Sequence, residues 1–100
     1  MLNITKNVEG PVLTFTLEGI LDTQSAPSLQ KEITERDEGI SSIIFDCEKL
    51  EYLTSAGLRV LLVAQQDMDD IEGTMIMRNV SSDIMDVFKL TGFLDVLTIE

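Results

Sequence analysis

The chain has 100 residues, room for one domain (1–100) around a single core. A hydrophobic share of 44% with 25% charged residues matches a folded globular protein and excludes wholesale disorder. Seven basic against 18 acidic residues leave a net charge of −11, which repels phosphate backbones and anionic lipid and argues against nucleic-acid or electrostatic membrane binding.

Cys47 is the single cysteine and there is no His, so no intramolecular disulfide, Cys/His metal set or nucleophile–imidazole pair can form. A reducing cytoplasm is the expected compartment. Met1–Lys6 shows no basic leader running into an apolar stretch, and no apolar run approaches the ~20 residues that span a bilayer. Neither a signal peptide nor membrane insertion is expected.

Leu2 and Ile4 alternate with polar residues up to a turn at Gly10-Pro11. Val12 to Glu18 then alternates again, with Leu13, Phe15 and Leu17 on one face, and Gly19 is expected to break it. These two segments read as a hairpin. Ser25 is the expected cap of a helix over roughly 26–37, with Pro27 in its first turn, Leu29 and Ile33 on its apolar face and Gly39 as its stop. Ile40 to Asp46 is the next strand. Its unbroken Ile43-Ile44-Phe45 suits an interior parallel strand covered on both faces.

Tyr52 to Leu62 follows, with small and hydroxyl residues, Thr54-Ser55-Ala56-Gly57, where a helical apolar pattern begins. Over a helix at roughly 56–69, Gly57, Val60, Leu61, Ala64 and Met68 share a face, opposite Arg59, Gln66 and Asp70. The acidic run Asp67 to Glu72 reads as a solvated turn without metal-ligand spacing. Thr74–Met77 is a short strand. Ser81-Ser82-Asp83 caps a third helix with Ile84, Val87 and Phe88 inward and Gly92 after its end. Phe93-Leu94 and Val96–Ile99 supply a last strand. The order β-β-α-β-α-β-α-β predicts an α/β fold: a mostly parallel sheet of four or five strands, the first antiparallel, and three main helices.

No enzyme signature is present. There is no base for a serine nucleophile and no glycine-rich phosphate loop, and no cofactor is implied. Asp22 and Asp46 are each expected just past a strand end, where α/β proteins place their sites, although turn chemistry explains such aspartates more often. Thr54 or Ser55 is equally an ordinary helix cap on pattern alone. A serine at the positive end of a helix is also where an added phosphate is electrostatically favoured.

Asp46 through Leu62 resembles the central signature of the STAS domain of bacterial anti-sigma factor antagonists. Gly19-Ile20-Leu21-Asp22 with Ala26-Pro27 is similar to that family's first loop, and Ser81 to Gly92 to its last helix and turn. The resemblance implies a STAS-like fold and a partner switch. Ser55 matches the serine phosphorylated by an anti-sigma factor with serine kinase activity. The unphosphorylated form binds that kinase and frees the sigma factor; the phosphorylated form lets go until a metal-dependent serine phosphatase restores it. The implied partner surface is Asp22, Thr23, Thr54, Ser55, Gly57 and Leu58. Thr54 stands where many members carry Asp, which makes it a rival phosphoacceptor. The other reading is a non-switching STAS subunit of a lipid-transport ATPase or a signalling scaffold.

Overall fold

Alternation along residues 12–17 places Leu13, Phe15 and Leu17 inside the core of the computed structural model, which describes residues 2–100. Met1, counted in the expected domain, lies outside them. Two long strands, β1 (Leu2–Glu9) and β2 (Val12–Leu21), form an antiparallel hairpin across the Gly10-Pro11 turn. Then come α1 (Ala26–Thr34), β3 (Ser42–Leu53), α2 (Ser55–Asp70), β4 (Thr74–Arg78), α3 (Ser82–Thr91) and the two-residue β5 (Thr98–Ile99).

The sheet has five strands in the order β1-β2-β3-β4-β5, and every pairing after the hairpin is parallel. Each strand–helix–strand unit thus steps one place in the same direction. Right-handed crossovers that all advance the same way lay their helices on one face. Burial follows this rule. Ile43, Phe45, Met75 and Met77 face the helices and are buried with Leu29, Ile33, Leu61, Met68, Ile84 and Phe88. Phe15 and Phe45, registered neighbours, stack with ring centroids 5.4 Å apart inside this layer.

Five expectations are corrected. Gly19 does not end β2. It adopts φ 110°, and the β2–β3 register shifts on both sides of Glu18-Gly19, so the strand runs through an irregularity that a side chain would strain. β3 likewise continues past Asp46 to Leu53. The burial of Cys47, Leu50 and Leu53 is spaced by three, since the bulged strand loses its two-residue period. Ile44 is only half-buried, because no helix covers its face. α1 stops at Thr34, short of 37; the Glu35 amide donates to the Lys31 carbonyl and the Arg36 guanidinium to that of Ile33 at 2.8 Å, closing the last turn. The final segment is mostly not strand, for Phe93–Asp95 forms a 3-10 turn after Gly92, whose φ of 79° ends α3.

Candidate functional site

β2 and β3 run side by side to the same sheet edge, where Leu21 registers with Leu53. The Thr54 amide donates to the Leu21 carbonyl at 3.0 Å, tying the exit of β3 to the end of β2. Helix α2 starts at once, and its first turn rests on Leu21. A Cβ on Gly57 would lie 2.8 Å from Leu21 Cγ and 2.9 Å from the Leu21 carbonyl oxygen, so only glycine allows this approach.

Asp22 comes next in the chain and opens the turn into α1. Its Oδ1 accepts from the Gln24 and Ser25 amides, each at 3.0 Å. The Ser25 hydroxyl accepts from the Asp22 amide and donates to the Ile20 carbonyl, both at 2.9 Å. Ser25 therefore holds the turn together and makes no side-chain cap to α1, contrary to the sequence expectation. The Ser25 amide chiefly holds the Asp22 carboxyl below its ordinary value; desolvation, the next largest effect, opposes it, and the Ser25 hydroxyl and the Gln24 amide add to the lowering.

Thr54 is the N-cap of α2 in extended conformation, φ −106° and ψ −179°, yet its side chain makes no cap bond. The Thr54 Oγ1 is buried and has no partner among the described residues. Ser55 is the first helical residue and is exposed. The amides ahead of Leu58, which donates to the Thr54 carbonyl at 3.0 Å, lack intrahelical acceptors. No carboxylate occupies the first turn of α2 to offset its positive end. Chemically this is an accessible hydroxyl beside a helix terminus that tolerates an anion. It has no neighbouring imidazole, because the chain contains none.

Of the six expected surface residues, Asp22, Thr23, Thr54 and Ser55 present atoms to solvent at this edge. Gly57 is buried and Leu58 is 7% exposed, so these two form the support beneath it. Asp46 does not join Asp22. It sits mid-strand, registered with Thr16, and its Oδ1 accepts from the Glu48 amide and from Asn79 Nδ2, each at 3.1 Å. Cys47 is fully buried, and burial, with Asp46 adding to it, pushes its thiol up to about 12. Among the described residues no group of three or more His, Cys, Asp or Glu could hold a metal ion, and no helix is long and apolar enough to cross a membrane.

Tyr52 escaped the sequence reading. It is 51% exposed and registers with Ile20 on the helix-free face, at the same edge as Ser55. One signal was available: once Leu53 is placed inward, the preceding residue of the strand must point outward.

The STAS domain family profile matches residues 3–100. BtrV of Bordetella bronchiseptica, a candidate anti-sigma factor antagonist, is 25% identical over 99 residues, which is 98% of this chain and 85% of that protein. Among solved structures, a candidate anti-sigma factor antagonist of Thermotoga maritima matches with TM-score 0.89 at 15% identity, over 96% of this chain and 84% of that one. The Bacillus cell fate determinant SpoIIAA in its phosphorylated form matches with TM-score 0.77 at 20% identity, over all of this chain and 91% of that one. The anti-sigma factor antagonist SpoIIAA in its unphosphorylated form gives 0.75 at 18%, again over all of this chain and 87% of the other. At such identities the solved structures speak to the fold alone.

Proposed function

The chain belongs to the STAS domain family, and from that premise we propose that it is an anti-sigma factor antagonist switched by phosphorylation of Ser55. The observation that carries this reading is the exposed Ser55 as the first residue of α2, in a first turn without carboxylates. The description of BtrV as a candidate antagonist supports it. The unphosphorylated chain docks its carboxyl-edge surface, Asp22, Thr23, Thr54 and Ser55 over Gly57 and Leu58, on an anti-sigma factor that is also a serine kinase. The sigma factor is thereby released.

The kinase then moves the γ-phosphoryl group of ATP to Ser55 Oγ. An O–P bond forms, the hydroxyl proton leaves to a base on the kinase, and ADP departs. The phosphate brings about −1.5 to −2 charges at pH 7. In the free protein the helix terminus favours that charge by about 0.3–1 kcal/mol, so the domain keeps its fold. In the docked state the same charge must be desolvated, a cost of several kcal/mol unless it is paired. Moving occupancy from mostly bound to mostly free needs about 5.5 kcal/mol, which a desolvated interface can supply and a solvated one cannot. A metal-dependent serine phosphatase in the same cytoplasm resets the switch. The chain itself is substrate and binding module, with no catalytic residue.

The test compares Ser55→Ala and Ser55→Asp for binding to the cognate kinase, with the phosphosite mapped by mass spectrometry. Retained binding by the first, lost binding by the second and label on Ser55 rather than Thr54 are expected. Equal binding by both variants refutes the switch. The rival reading, a non-switching STAS subunit of a transport ATPase or scaffold, draws on Thr54 standing where many family members have Asp. A co-purifying ATPase whose association survives Ser55→Asp would decide for it.

A further inference from the structure

Arg59 is the only cation on α2, and it is exposed. The other basic side chains are engaged or lie away from the edge that carries Ser55. Lys6 pairs with Glu32 and Arg78 with Glu100, the Arg36 guanidinium donates to the Ile33 carbonyl, and Lys49 registers with Glu18. Lys31 and Lys89 sit in the last turns of α1 and α3, at the far ends of those helices. Among the described residues Arg59 takes part in no ion pair.

Ser55 and Arg59 stand four residues apart in one continuous helix. Such positions share a face, with Cβ atoms about 5–6 Å apart. Every Cα–Cβ bond of a helix leans toward its N-terminus, so Arg59 reaches back over the turn that Ser55 begins. No acid competes along this stripe, because Ala56, Leu62 and Val63, the other neighbours three and four positions away, are uncharged. We propose that Arg59 is a built-in clamp for a phosphate on Ser55, a role that rests on the reading of Ser55 as the phosphoacceptor. Two guanidinium N–H groups donate to two phosphate oxygens once the serine is modified. The anion then lies N-terminal to the cation, the favourable order for a pair at this spacing.

Charge sets the strength. An ordinary ion pair at this spacing shifts a folding equilibrium by about twofold. The phosphate carries about −1.5 to −2 charges, which raises the factor to about three- to fourfold. Reversing the occupancy of the docked state takes a factor of about 10⁴. The clamp therefore tunes the switch and does not constitute it. Its effect is positional: the phosphate is drawn along the outer face of α2 instead of standing free above the carboxyl edge.

Phosphoserine inserted at position 55 during translation gives the modified full chain without any kinase. Urea melts of four proteins, with and without the phosphate and with and without Arg59→Gln, form a cycle whose coupling isolates the pair. Arg59 should favour the folded phosphorylated chain by about three- to fourfold, and about 1 M salt should bring that factor close to one. Arg59→Lys should restore part of it, since an ammonium supplies the charge without the fork. With no substitution at all, the Arg59 Nε–H NMR signal should move on phosphorylation while those of Arg36 and Arg78 stay in place. Absent coupling, or an Arg59 signal that does not move, overturns the clamp. Labelling by the cognate kinase is read separately: a kinase that spares Ser55 refutes the switch and leaves the coupling standing, whereas label on Ser55 without coupling refutes the clamp alone.

Discussion

Replacing Gly57 by Ala sets two opposed effects against each other. In an ordinary helix the change gains up to about 1 kcal/mol, because alanine loses less backbone freedom. Here the new methyl would sit 2.8 Å from Leu21 Cγ, 2.9 Å from the Leu21 carbonyl oxygen and 3.0 Å from Leu21 Cδ2. Neither obstacle moves freely. The Leu21 side chain is fully buried, and its carbonyl accepts from the Thr54 amide at 3.0 Å. Overpacking of this kind costs about 1–3 kcal/mol, more than propensity returns. A net loss of about 1–2 kcal/mol follows, and in a domain of this size each kcal/mol lowers Tm by about 4–8 °C. Urea and thermal melts of Gly57→Ala measure this, with Gln66→Ala on the exposed side of α2 as a control expected within about 0.5 kcal/mol of the parent. The double variant with Leu21→Ala separates the obstacles: near-additive losses point to the carbonyl, and coupling of about 0.5–3 kcal/mol points to the side chain. A Gly57→Ala protein as stable as the parent, or more so, refutes the close approach of α2 to β2.

Thr54→Val keeps the shape of the side chain and removes a buried hydroxyl that has no partner among the described residues. Such an orphan costs about 1–3 kcal/mol, so urea melts should show a gain of about 1 kcal/mol, and a loss would reveal a partner. The same variant should still be labelled at Ser55. Asp22 has its folded-state carboxyl value lowered below 3.8 chiefly by the Ser25 amide, so its contribution to stability is full above 3.8 and fades as pH falls through the folded value. Asp22→Ala should thus lose stability at neutral pH and match the parent in strong acid; an NMR midpoint for this carboxyl at or above 3.8 contradicts the assignment. Cys47, fully buried with its thiol raised to about 12, should resist thiol reagents at pH 8 until the protein is unfolded by denaturant, and rapid native labelling would show that β3 opens.

Local pattern was enough for most elements. The alternation of Leu13, Phe15 and Leu17, the wheel of Val60, Leu61, Ala64 and Met68, and the Ser81 and Gly92 bounds of α3 are set by neighbours within a few residues. All of these are found as the sequence implied. The small residues Thr54 to Gly57 likewise announced a helix start. What the sequence left open depends on contacts between distant segments. A bulge occurs where a partner strand demands it, so Gly19 and the stretch from Cys47 to Leu53 read as strand ends although they are strand. The turn at Asp22 claims the Ser25 hydroxyl from the helix it precedes. The need for glycine at 57 comes from Leu21, which the chain brings there only by laying β3 beside β2. The faces of the sheet show the same limit. Ile43, Ile44 and Phe45 are alike in sequence, and whether the middle one is covered follows from the shared direction of the three crossovers, a property of the assembled sheet that no local stretch encodes.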